Sequence, residues 1–162
     1  MFICINLQYT KISGLKKATQ TGGLFFVCLF IFLLTTHAQS NEHGILGTWQ
    51  NEDRSGKIEI YQSGDQYFGK LLWGKYMLDE RGVPRKDTLN PNIALRSRAW
   101  PNIVMLTGFR YQNGQWEDGK IYDPTSGKSY TAVMKLKNGR LALRGYIGIE
   151  LLGKTIYWDR VK

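Results

Sequence analysis

From Leu46 onward the chain sustains no helical period, and its apolar residues recur instead at every second position in short segments cut off by turn signals. "LGTWQ" gives way to "NEDRSG", "KIEIYQ" to "SGD", "NIVMLTGFRY" to "QNG", "QWEDGKIY" to "DPTSG" and "KSYTAVMKLK" to Asn138-Gly139. With "QYFGKLLWG", "RLALRGYIG" and "LLGKTIYWDRV" the count reaches eight strands. Asn-Gly between alternating segments is the strongest local signal for a two-residue hairpin. Strands joined so tightly predict an all-β, antiparallel, up-and-down meander. Eight strands suffice to close a single barrel with room for side chains or one small ligand. A sandwich of two sheets is the other arrangement these strands permit.

Gly127-Lys128-Ser129 has the look of a phosphate-binding loop. Such a loop needs a glycine five residues earlier and a helix afterwards, because backbone amides must wrap the phosphates. Position 122 is Tyr, and the segment after Ser129 has the pattern of a strand, in which Tyr130, Ala132, Met134 and Leu136 alternate with Thr131, Val133, Lys135 and Lys137. The segment Asp123–Gly127 therefore reads as a hairpin turn, with Pro fixing φ early and Gly supplying a positive φ late.

The first forty residues obey other rules. Lys11, Lys16 and Lys17 precede the apolar run "GLFFVCLFIFLL", and small residues ending at Ala38 come after it. The run is shorter than the ~20 residues that span a bilayer. The pattern predicts a signal peptide over 1–38, cleavage after Ala38, no stable membrane insertion, and export to the periplasm or the medium. Residues 39–162 then make one domain with one core. Both cysteines, Cys4 and Cys28, fall in the leader, so the exported chain carries neither thiol nor disulfide. Its nineteen basic residues against thirteen acidic ones leave a net charge of +6. They are scattered in runs no longer than two, which describes a solvated basic surface rather than a nucleic-acid site.

Nucleophilic catalysis of the Ser-His kind lacks its base, since the only histidine of 39–162 is His43, near the expected new N-terminus. Metal binding by His and Cys fails for the same reason, and no cofactor motif is present. An enzyme would have to use carboxylates, with Asp118, Asp123 and Asp159 as candidates, but each has an ordinary place in a strand or turn. The expectation is no catalytic residue. The long segment Lys75–Pro101 holds three of the four prolines and exceeds any simple turn. At a barrel mouth it would serve as a lid or as a solvated connector.

Gly47-Thr48-Trp49 on the first strand and Arg160 on the last resemble the lipocalin and avidin superfamily. The resemblance implies that the indole closes one end of the barrel beneath the Arg, with Gly47, Trp49, Trp158 and Arg160 as closure residues. A second resemblance covers nearly all of 39–162: "GTW", "LNPNIALRSR", "DGKIYDPTSGKSY", and "LRGY" through "YWDRV" are similar to the bacterial family called domain of unknown function 2147. That family implies an exported protein with a lipocalin-like fold. Two departures are visible: Tyr146 stands where members often have a cysteine, and "RSRAWPN" replaces the usual Arg-x-Arg-Pro continuation.

The function expected is binding of a small hydrophobic or amphipathic molecule within the barrel. Ile58, Ile60, Leu71, Met105, Phe109, Met134, Leu136, Leu141 and Leu143 would supply an apolar lining. Arg96, Arg98, Met105, Phe109, Tyr130 and Met134 are the candidate ligand-binding residues, the two arginines orienting an anionic head group from one side of an extended segment. Arg144 should point outward, because Leu141 and Leu143 claim the inner face. The alternative is a filled barrel that holds a protein partner in the cell envelope.

Overall fold

Eight antiparallel strands, each hydrogen-bonded to the next and the eighth to the first, form a closed barrel: β1 Gly47–Asn51, β2 Gly56–Ser63, β3 Gln66–Gly74, β4 Val104–Gln112, β5 Gln115–Asp123, β6 Lys128–Lys137, β7 Arg140–Tyr146 and β8 Lys154–Arg160. Closure settles the choice between barrel and sandwich and leaves no exposed sheet edge. This computed structural model describes residues 42–162, so the predicted signal peptide 1–38 and its cleavage point lie outside the described residues.

The hairpin at Asn138-Gly139, and its counterpart at Asn113-Gly114, take φ values of 51° and 78°, and 51° and 80°, the paired left-handed residues of a type I′ turn. These two turns and the Gly64 turn define one end of the barrel. The other end, the mouth, carries the β1–β2 turn, the long β3–β4 connection, the β5–β6 turn and the β7–β8 loop. The phosphate-loop lookalike is the β5–β6 turn. Asp123 accepts hydrogen bonds from the Thr125 amide (2.9 Å), the Thr125 hydroxyl (2.7 Å) and the Ser126 hydroxyl (2.7 Å), and Gly127 sits at φ 70°.

Alternation places Ile58, Ile60, Leu71, Leu141, Leu143 and Met134 inside, as expected, and polar side chains outside, where Lys70 and Glu59 pair at 2.8 Å across neighbouring strands. Apolar within and charged without is the reverse of a membrane-spanning barrel. Strict alternation fails in β4 and β5. Gly108 (φ 76°) and Asp118 (φ 61°) form bulges, so Leu106 and Phe109, three apart, both point inward, as do Trp116 and Gly119. Phe109 lies flat on Gly119, where any Cβ would overlap its ring.

The turn-rich half of the interior is solid. Trp49, Ile60, Tyr67, Leu106, Phe109, Trp116, Met134 and Leu141 are buried together, with Tyr67 edge-on to Trp116 at 6.2 Å. Trp49 closes the end below them. The Arg160 guanidinium lies 4.3 Å from the centre of the Trp49 indole, and Trp49 Nε1 donates to the Ile45 carbonyl at 2.7 Å. Gly47 is required here twice over: its φ is 114°, and a Cβ would approach Arg160 Nη1 to 3.0 Å. The indole was the one partner expected for Arg160. In fact the guanidinium also donates to the Leu46 carbonyl at 2.7 Å and to the Gly44 carbonyl, so it fastens the turn His43–Leu46 across the barrel floor.

Candidate functional site at the barrel mouth

Above this packed half the interior opens into a cavity of about 570 Å³. Ile58, Leu71, Leu143 and Trp158 form its floor and lower wall, Met105, Ile121, Tyr130 and Ile156 its sides, and Tyr76, Met77 and Trp100 its cover. The space exists because inward positions near the mouth are small or flat. Gly145, in register with Ala132 and Lys154, has no contact closer than 3.4 Å around the position of a Cβ and leaves room beside Tyr130. The charged side chains on the wall are Lys75, Lys154 and Asp123. Neither lysine has an acidic partner within 4.0 Å among the described residues. The Asp123 carboxyl is committed to its own turn: burial pushes its pKa up, but the hydrogen bonds from Ser126 and Thr125 outweigh this and hold it below the usual value of 3.8.

The cover comes from the β3–β4 connection, which is neither free nor a bare connector. Asp87 is wholly buried (0% exposed) and gathers four donors. Arg98 reaches its Oδ2 through Nε at 2.9 Å and Nη2 at 2.8 Å, Asn90 Nδ2 donates at 2.7 Å, and the Tyr122 hydroxyl donates to Oδ1 at 2.5 Å. A buried carboxylate needs this degree of satisfaction to be tolerated. Tyr122 belongs to β5, so its bond ties the connection to the barrel wall. Its own pKa is pushed up to about 12, first by burial and then by the Asp87 carboxylate that accepts its proton. A second attachment lies at Gly127, whose φ is 70° and against which the Leu89 carbonyl packs so closely that a Cβ would overlap it.

The predicted binding residues therefore divide. Met105 and Tyr130 line the cavity. Phe109 and Met134 are buried in the packed half and do not. Arg96 and Arg98 do not line it either: Arg98 is held by Asp87, and Arg96 donates from Nε to the Asn90 carbonyl at 2.8 Å. An extended segment would have set both side chains to one side. Instead a 3₁₀ turn over Ile93–Leu95, started by the Asn92 side chain, redirects them into the connection. Trp158, expected at the closed end, lies opposite Leu141 and Asn51 and forms cavity floor. Leu136 is half-buried and packs on the core rather than the cavity. Arg144 points outward, as parity required, and bonds the Glu150 and Leu151 carbonyls, both at 2.9 Å.

The candidate carboxylates do not converge. Asp118 accepts from Gln112 at 3.1 Å, Asp159 pairs with Arg140 at 2.7 Å on the outer face, and Asp123 caps its turn. Among the described residues no cluster of three or more His, Cys, Asp or Glu is arranged for a metal ion.

Cavity-lining Met77, Trp100, Tyr122, Lys75 and Lys154 were not singled out from the sequence. For Lys75, Met77 and Trp100 a signal was present, since all three lie on the one long connection that a barrel mouth would carry; Tyr122 and Lys154, on β5 and β8, gave none.

A solved Helicobacter pylori protein, HP1028, described as belonging to the lipocalin family, superposes with a TM-score of 0.62 at 23% identity, over 73% of this chain and 83% of that one. That similarity concerns the fold. No curated protein matches the sequence. Residues 47–160, from the first residue of β1 to the last of β8, match the model of a family described as an uncharacterized protein conserved in bacteria, DUF2147. A match spanning every strand of the closed barrel places the chain in the DUF2147 family, with a lipocalin-like fold.

Proposed function

We propose that this is an exported binding protein that takes up one small hydrophobic or amphipathic molecule in the mouth cavity, without catalysis, in the cell envelope or outside the cell. The observation that carries the reading is the 570 Å³ cavity, walled by apolar side chains and covered by Trp100 and Met77. Its volume lies within the range of small-molecule sites, about 300–1,000 Å³. A filled-barrel interaction module would need side chains meeting along the whole axis, and they meet only in the half below Trp158. Export is supported by the charged, apolar and small-residue sequence ending at Ala38.

The wall also favours an orientation. Apolar surface is deepest, over Trp158, Leu143 and Leu71, and the two lysines are near the opening. An alkyl chain would enter first, and an acid group would remain with Lys75 and Lys154 in the position first assigned to Arg96 and Arg98. Each buried methylene contributes about 0.8 kcal/mol. Affinity should therefore rise roughly fourfold per carbon until the cavity is full.

The test is calorimetric titration of delipidated protein with straight-chain fatty acids and alcohols of matched length. The reading expects chain-length dependence with acids favoured over alcohols. It also expects a loss of about tenfold or more in Gly145→Leu, whose side chain would occupy the void. Absence of binding by both series, or unchanged binding in Gly145→Leu, would overturn it.

A further inference from the structure

Every exposed large hydrophobic side chain among the described residues lies at the mouth end, within residues 73–95 and 147–156. The turns at the closed end, Ser63–Gln66, Gln112–Gln115 and Lys137–Arg140, carry none. The concentration is sharpest in the β7–β8 loop, where Ile147 is 74% exposed, Ile149 59%, Leu151 83% and Leu152 78%. A 3₁₀ turn over Glu150–Leu152, fixed from behind by Arg144, holds the tip in shape, so these side chains are displayed by an ordered loop. On the β3–β4 connection Ile93 stands out at 76%, with Leu89 and Val83 also more than half exposed. Isolated exposed leucines mean little, but apolar side chains collected at one pole of a barrel mark an interaction surface.

The β3–β4 connection is also basic. Among the described residues Lys75, Arg85, Lys86 and Arg96 of this connection have no acidic partner within 4.0 Å and Glu80 is its only acid without a basic one, whereas the β7–β8 loop carries Glu150 and no cation before Lys154, the first residue of β8. Four unpaired cations against one unpaired anion on the connection, beside aliphatic tips on both loops, complement an anionic lipid surface: aliphatic tips enter the acyl boundary and lysines and arginines meet the head groups. The polar outer wall of the barrel limits contact to the tips.

We infer that the barrel docks mouth-first on anionic membrane surfaces, through the β7–β8 loop and the β3–β4 connection. Docking in this orientation turns the cavity opening toward the lipid. The inference rests on the aliphatic tips and on Arg85, Lys86 and Arg96, none of which lines the cavity; Lys75 is shared with the cavity wall.

The test is co-flotation of Ser40–Lys162, whose core and closed sheet are self-contained, with vesicles of phosphatidylcholine alone or containing about one-third phosphatidylglycerol. Using this segment keeps the apolar leader from binding vesicles itself. Binding should require the anionic lipid, weaken with salt, and fall roughly tenfold or more in Leu151→Ser/Leu152→Ser. Arg85→Glu/Lys86→Glu should reduce it similarly, with unchanged circular dichroism in both variants. Absence of flotation, or flotation indifferent to both variants, would overturn the inference. So would a stable dimer that Leu151→Ser/Leu152→Ser dissociates without any vesicle binding, since the tips would then cover each other. Fatty-acid titration of the same variants separates the two readings: docking lost with ligand binding intact, or the converse.

Discussion

Replacing Asp87 with alanine should release the cavity cover while leaving the barrel closed. The substitution removes the acceptor for a charge-assisted pair from Arg98 and for single bonds from Asn90 and the Tyr122 hydroxyl. Such bonds contribute about 1.5–3 kcal/mol when charged and about 0.5–1.5 kcal/mol when neutral. Breaking a fully buried ion pair costs about 3–5 kcal/mol. The Arg98 side chain is one-third exposed and regains water on release, so the expected loss is lower, about 2–4 kcal/mol. That loss should appear as local opening. The amides of Asp87, Asn90, Arg98 and Trp100, which close the connection through backbone bonds of 2.9–3.0 Å to 3.2 Å, should exchange tens to hundreds of times faster, while those of β6 and β7 keep their protection. Asp65→Ala is the control. It breaks the exposed Arg110 pair at 3.2 Å and should change stability by less than about 1 kcal/mol. Hydrogen exchange read by mass spectrometry distinguishes the two. Wild-type protection of the connection in Asp87→Ala would show that Leu89 on Gly127 and the packing of Trp100 hold the cover without the carboxylate.

The contacts at the floor and on the connection set other outcomes. Trp49→Ala should cost about 3–5 kcal/mol in denaturant unfolding, and a double-mutant cycle with Arg160→Ala should give a coupling of about 0.5–2 kcal/mol. Arg160→Ala should keep part of its effect without Trp49, because the Leu46 and Gly44 carbonyls are independent partners; a fully silent second substitution would contradict this. Gly127→Ala, strained at φ 70° and overlapping the Leu89 carbonyl, should cost at least about 1 kcal/mol, more than its loss of backbone freedom returns; unchanged stability would refute the contact. Because the folded-state pKa of Tyr122 is raised from 10.0 to about 12, the protonated hydroxyl favours the folded state below pH 10, and that contribution declines as pH rises from 10 through 12. Tyr122→Phe should flatten this alkaline decline, and an identical slope in the two proteins would locate the titration elsewhere.

The strands were legible because side-chain period and hairpin chemistry are local. Asn-Gly fixes a type I′ turn whatever surrounds it, and Ile58, Ile60, Leu141 and Leu143 declare their face by parity alone. The closing pair of Trp49 and Arg160 was legible through the resemblance of Gly47-Thr48-Trp49 and Arg160 to the lipocalin and avidin superfamily, and closure of the barrel makes the first and last strands neighbours. The bulges at Gly108 and Asp118 were not: a Gly inside a strand hints at a bulge, but the alternation around each residue does not show where the extra residue falls. This is why Leu106 and Trp116 were missing from the expected lining. The fate of Arg96 and Arg98 turned on a single 3₁₀ turn and on Asp87, which is buried only once the connection folds over Tyr122, 35 positions away in sequence. Parity speaks within a strand and is silent about a connection. The cavity was likewise beyond reach, because its existence depends on which inward positions are small near the mouth, Gly145 among them, and on Trp100 arriving from outside the sheet to cover it.

The central claim is that the mouth cavity holds an apolar guest, and native mass spectrometry of the barrel purified from its own host tests it most directly. The expected result is a folded species heavier than the bare chain by one small lipophilic molecule, removed by delipidation and restored by added fatty acid in the wild type but not in Gly145→Leu. A folded protein at bare-chain mass, taking up no fatty acid after prolonged incubation, would contradict it.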